Sequence, residues 1–144
     1  TEEAWDRTFQ VNVKAPFLLS RASMQIMRQK SSGRIINISS IGVKFGGGRT
    51  TLHYSASKAA LEAITHSFSK IGAPDNVLVN AIRAGVTDTP FHQKVGISDL
   101  TDRIKLIPLG RLAQPEEVAN AVLYLCSPES SYVAGSILTV AGGE

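Results

Sequence analysis

Three short runs rich in β-branched residues, 34–39, 76–81 and 136–140, alternate along the chain with much longer stretches of helical character. This alternation constrains the fold more than any other feature. Strands separated by helices are joined by crossovers, so neighbouring strands lie parallel and the connections are right-handed. The middle run, Asn76-Val-Leu-Val-Asn-Ala81, is almost continuously apolar, as strands are when helices cover both faces of a parallel sheet. The expected fold class is therefore α/β, a doubly wound parallel sheet, and 144 residues suit a single domain.

The helices carry readable start and stop signals. Thr1 is placed to cap a helix whose first turn holds Glu2 and Glu3, acids that suit the positive end of the helix dipole. Trp5, Phe9, Val13 and Phe17 recur every four residues, an apolar stripe expected to pack on the sheet, and the helix is expected to run to about Lys30 with Gly33 in its stop. A second helix is expected over 53–71, ending at Gly72 ahead of Pro74, and a third from Pro115 to near Ser127. Residues 41–52, with Gly46-Gly47-Gly48, read as a loop beside the site, and 86–110 as a candidate lid.

Composition excludes several function classes. Fifteen basic and twelve acidic residues give +3, scattered without blocks or basic-aromatic interleaving, so no nucleic-acid partner is expected. His53, His66 and His92 lack ligand spacing with one another or with Cys126, so no His/Cys metal site is expected. No apolar stretch is long enough to span a membrane, and Thr-Glu-Glu-Ala-Trp resembles neither a signal nor a transit peptide. The single cysteine excludes an intrachain disulfide and suits a reducing cytoplasm. Its apolar helical surroundings, Ala121-Val-Leu-Tyr-Leu-Cys126, read as those of a buried structural thiol.

The chemistry concentrates in Tyr54-Ser-Ala-Ser-Lys58. On a helix this spacing sets phenol and ammonium on one face, one turn apart. A phenol ordinarily titrates near pH ~10, and a neighbouring cation favours phenolate, which makes the pair a general acid or base for an alcohol or carbonyl oxygen. Ser40 is expected just past the end of strand 34–39, where ligands bind in open α/β sheets, and its hydroxyl is suited to donate to a substrate oxygen. Ser39 is the other serine at this strand end. Asn12 has a physical role of its own: Pro16 lacks an N–H, so the Asn12 carbonyl loses its helical donor and becomes available to a water.

Taken in order, Gly33-Arg-Ile-Ile-Asn-Ile-Ser-Ser40, Tyr54-Ser-Ala-Ser-Lys58, Val79-Asn-Ala-Ile-Arg-Ala-Gly85-Val-Thr-Asp-Thr89, Pro108-Leu-Gly-Arg-Leu-Ala-Gln-Pro-Glu-Glu117 and Gly135-Ser-Ile-Leu-Thr-Val-Ala-Gly-Gly143 closely resemble the short-chain dehydrogenase/reductase family. The resemblance covers nearly the whole chain. It implies a Rossmann-like sheet of which residues 1–144 form the C-terminal portion, the Gly-rich nucleotide-binding half of the domain preceding Thr1. It implies hydride exchange between NAD or NADP and a small-molecule secondary alcohol or ketone. Tyr54 would act as proton donor and acceptor, Lys58 as its activator and a ligand of the nicotinamide ribose, Ser40 as substrate donor, and Asn12 as holder of a relay water. Gly85, Val86 and Thr89 match a segment that contacts the nicotinamide end of the cofactor, and the family's helix pairing implies a homodimer or homotetramer.

The chain departs from the family pattern at three places. Ala84 stands where proline is usual, Ala141 where aspartate is usual, and the Ser40-to-Tyr54 interval is one residue longer than the commonest. Two other readings within the fold are an epimerase or dehydratase and a non-catalytic scaffold; a serine hydrolase lacks its Gly-x-Ser-x-Gly elbow here. The NAD/NADP selector lies beyond the glycine loop and so outside this sequence. The 144-residue chain by itself is expected to be inactive, because the adenine and pyrophosphate sites belong to the other half.

Overall fold

A computed structural model describes residues 1–94, 96–97 and 99–144, with the backbone alone at 93. The chain opens as expected, with the Thr1 hydroxyl accepting the Ala4 N–H at 3.3 Å to cap α1 (Glu2–Phe9). Ahead of Pro16 the helix widens into a π turn over Gln10–Lys14, in which the Ala15 N–H reaches back five residues to the Gln10 carbonyl. It then continues as α2 (Ala15–Gln29). The proline is thus accommodated by a change of register rather than a break.

The sheet has three parallel strands in the order β1 (Gly33–Ser40), β2 (Val77–Ala84), β3 (Ile137–Val140). Gly33 pairs with Val77 and Ser40 with Ala84, while Ala81 pairs with Ile137 and Ala84 with Val140. The strand ends differ from expectation. β1 includes Ser40 instead of stopping before it, and β2 begins after Asn76, which turns the chain at φ 56°, and runs on to Ala84. Arg83 and Ala84 are polar or small, so the apolar run alone undercounts the strand; the ladder to β1 holds them in it.

The helix α4 (Leu52–Gly72) and α2 cover one face of the sheet. Met24 and Phe68 meet Val77 and Val79 there, with Met27, Ile35 and Ile64 packed around them. Gly72 is required at the end of α4, because a Cβ would lie 2.5 Å from the Val77 carbonyl oxygen. The helix α7 (Pro115–Cys126) packs against all three strands, and residues 77–82 are buried without interruption, as expected for a strand covered on both faces. A reciprocal capping box between Gln114 and Glu117, followed by Pro115 at the first helical position, starts α7.

Two expectations about burial are corrected. The Trp5–Phe9 pair stacks at 4.6 Å between centroids, but α1 lies against α4 and not against the sheet, whose face α2 and α4 already occupy. Trp5 remains 40% exposed, and Val11, Leu18, Leu19 and Ile26 are also exposed. Cys126 is exposed as well: α7 turns Leu125 inward, 1% exposed, and the next position outward. The loop 41–52 contains one helical turn, α3 (Gly42–Phe45), and the segment 86–110 two more, α5 (Phe91–Lys94) and α6 (Thr101–Lys105). Residues 95 and 98 of that candidate lid lie outside the described residues. No described helix is long and apolar enough to cross a membrane.

Candidate active site

The side chains of Tyr54 and Lys58 do share a face of α4. The Lys58 Nζ lies 5.7 Å from the centroid of the Tyr54 ring and donates to the Ile38 carbonyl of β1 at 2.8 Å. Burial holds the Lys58 ammonium below the usual lysine pKa. One of its three protons serves Ile38, which leaves two donors for an incoming group.

Asn12 reaches this helix from the π turn. Its Nδ2 donates to the Ser57 hydroxyl at 3.0 Å, and Ser57 in turn donates to the Tyr54 carbonyl at 2.7 Å. The link between Asn12 and Tyr54 therefore runs through Ser57, a fully buried residue that the sequence reading passed over. Its signal was available: Ser57 is three residues after Tyr54, a spacing that makes the two neighbours on a helix. Asn12, Pro16, Ile38 and Lys58 line one cavity of about 340 Å³, open between the π turn and β1.

The two serines at the end of β1 separate by the strand's alternation. Ile35, Asn37 and Ser39 face α4, where Asn37 donates to Thr65 at 2.9 Å and Ser39 to Glu62 at 2.7 Å. Ser40 turns instead to the start of α3. Its Oγ accepts the Gly42 N–H at 3.1 Å, so its own hydrogen is left to donate. A Cβ on Gly42 would come within 3.0 Å of the Ser55 hydroxyl and 3.4 Å of the Ser40 hydroxyl, which places the starts of α3 and α4 against the end of β1. Ser40 is thus tied to the pair on α4 through the backbone, two residues beyond the carbonyl that holds Lys58.

Gly85 and Val86 follow β2 directly. The Gly85 N–H bonds the Val140 carbonyl at 2.8 Å, and a Cβ at Gly85 would lie 2.7 Å from the Ala141 backbone, so glycine lets the ends of β2 and β3 close together. Gly85 and Val86 line a second cavity of about 110 Å³ with Arg111, Glu117 and Val140, apart from the one lined by Asn12 and Lys58. Thr89 is half-buried beyond them, and Thr87 pairs with Ala113. From the same segment Phe91 comes within 6.4 Å of the Tyr54 ring, centroid to centroid.

Two further charged residues at this end were missed. Glu62 receives Arg83 Nε at 3.0 Å and Nη2 at 2.6 Å, besides the Ser39 hydroxyl. Burial by itself raises the Glu62 carboxyl, but the Arg83 and Ser39 hydrogen bonds outweigh it and leave the group below the usual carboxylate range. An arginine inside a strand and a glutamate one turn past Lys58 were the visible signals, but neither names its partner.

A family model described as "Enoyl-(Acyl carrier protein) reductase" matches residues 1–144. The chain is 41% identical over 139 residues to a 3-oxoacyl-[acyl-carrier-protein] reductase of Aquifex aeolicus, covering 96% of this chain and 56% of that protein. It is 42% identical over 147 residues to a cyclopentanol dehydrogenase of a Comamonas species, covering 99% of this chain and 58% of the other. The solved 3-oxoacyl-[acyl-carrier protein] reductase of Brucella melitensis superposes with a TM-score of 0.89 at 34% identity, over 99% of this chain and 53% of that one. The chain thus spans little more than half the length of these proteins.

Proposed function

The chain belongs to the short-chain dehydrogenase/reductase family, and from that premise we propose that the intact protein is an NAD(P)-dependent oxidoreductase that interconverts a secondary alcohol and a ketone. The observation that carries this reading is the arrangement around Tyr54. Its phenol shares a helix face with the Lys58 ammonium, and the Asn12 side chain is bonded into the same helix through Ser57.

Each side chain has a task that its surroundings support. In reduction Tyr54 gives its proton to the substrate oxygen, and in oxidation it takes the hydroxyl proton. Ser40, holding Gly42 through a lone pair, donates its hydrogen to the same oxygen as negative charge gathers there. Lys58 carries positive charge beside the phenol and keeps two protons for the hydroxyls of a nicotinamide ribose. Asn12, at a π turn ahead of a proline, offers a carbonyl for the water that refills the proton supply. Gly85, Val86 and Thr89, in the segment that follows β2, would contact the nicotinamide end of the cofactor.

A bound nicotinamide cofactor would supply or accept the hydride. The names of the relatives fit this chemistry, one a reductase of a 3-oxo group and another a dehydrogenase of a ring alcohol. The test is a cofactor-consumption screen of the intact protein against a panel of ketones and secondary alcohols. Substrate-dependent change in nicotinamide absorbance is expected with at least one member; none with either cofactor across the panel would refute the reading.

A further inference from the structure

The Glu62–Arg83–Ser39 cluster has no part in the proton chemistry above, yet it lies beneath all of it. Glu62 is one turn past Lys58 and two turns past Tyr54, so the three share a side of α4. Its carboxylate takes a two-pronged bond from Arg83, at 3.0 and 2.6 Å, and the Ser39 hydroxyl at 2.7 Å. Ser39 and Arg83 are register partners across β1 and β2, and the next pair along is Ser40 and Ala84. One carboxylate therefore joins the helix that bears Tyr54 and Lys58, the strand that ends in Ser40, and the strand that leads into Gly85 and Val86.

The pair is largely withdrawn from water, with side chains 10% exposed at Glu62 and 23% at Arg83. Buried ion pairs are weak devices for stability, since packed apolar side chains of equal volume commonly serve as well. Their best attested use is to fix one register among several. Apolar packing between α4 and the strands would let the helix slide or roll; a forked guanidinium–carboxylate bond does not.

We infer that Glu62 and Arg83 are positioning residues, whose forked bond sets α4, and with it the Tyr54 phenol, at its working distance from Ser40. The inference rests on the oxidoreductase reading, and it deepens that reading by naming what holds the site in shape. Catalytic groups need placement within about 0.5 Å, and a misplacement of about 1 Å can cost ~10²-fold in rate.

Two variants of the intact protein test it. Arg83→Lys keeps the charge and loses the fork; the Glu62→Met/Arg83→Met double variant removes both charges and keeps the volume. Both are expected to lower kcat about tenfold or more. The double variant should also melt close to the parent, which a purely stabilising pair would not allow. Parental kcat in Arg83→Lys overturns the inference, whether or not the double variant folds. A crystal structure of Arg83→Lys gives a readout independent of turnover: the Tyr54 Oη to Ser40 Oγ separation should shift by about 0.5 Å or more, and an unchanged separation also overturns it. Absence of turnover in the parent would refute the functional reading and leave this structural comparison to decide the positioning role.

Discussion

At the scale of single residues, the site separates side chains that handle protons from those that hold them in place. Tyr54→Phe in the intact protein removes the transferable proton and little else, so turnover should fall by about 10²–10⁴-fold with cofactor affinity nearly unchanged. Near-parental turnover would remove Tyr54 from the mechanism. Lys58→Ala should weaken both turnover and cofactor binding, since the ammonium serves the phenol and the ribose; unaltered cofactor affinity would cancel the second task. Ser57→Ala leaves the Asn12 amide without its acceptor. An unpaired, partly buried donor of this kind costs about 1–3 kcal/mol, which denaturant titration would detect. A parental midpoint would show that water replaces Ser57 without penalty.

Among the elements, α7 shows how local chemistry fixes a boundary. Glu117 bonds the Gln114 N–H at 2.7 Å and takes both prongs of Arg111, each at 2.7 Å. The Arg111 guanidinium, then the Gln114 N–H, lower its carboxyl from 4.5 to about 2. A carboxyl depressed on folding stabilises the native state fully above its unfolded pKa, and that contribution is lost as pH falls from near 4.5 through about 2. The melting temperature of the parent should therefore decline across this interval. Glu117→Gln should start lower at pH ~7 and decline less. Parallel curves for the two proteins would contradict the assignment. The effect should shrink in high salt, because the pair is exposed.

For the whole molecule, the open face is decisive. β1 has β2 on one side and no described strand on the other. Val11, Leu18, Leu19 and Ile26 add exposed apolar surface along the first helix. Apolar surface of this kind is suited to helix pairing, and the intact protein is expected to bury it in a homodimer or homotetramer. Light scattering that finds a monomer at micromolar concentration would contradict this. The 144-residue polypeptide, which spans little more than half the length of its relatives, is expected by itself neither to bind NADH tightly nor to turn over an alcohol. Saturable micromolar binding in a fluorescence titration would overturn that expectation.

What the sequence determined by itself is local or periodic. The Thr1 cap, the disturbance at Pro16, the start of α7 at Pro115, the shared face of Tyr54 and Lys58, and the alternation that makes the sheet parallel all depend on neighbours within a few residues or on helical and strand periods. What only the tertiary structure decided depends on which elements meet. The strand ladder, not the apolar run, carried β2 through Arg83 to Ala84 and took Ser40 into β1. The register then turned Ser39 toward Glu62 and Ser40 toward Gly42, although the two serines are adjacent and chemically alike. Ser57 found Asn12 across 45 positions, and Arg83 found Glu62 across 21. The same packing put Cys126 outside and Leu125 inside, and laid the Trp5–Phe9 stripe on α4 in place of the sheet. Spacing along the chain says which face of its own element a side chain occupies; only docking of the elements says what that face touches, because burial and partnership are properties of contacts between segments remote in sequence.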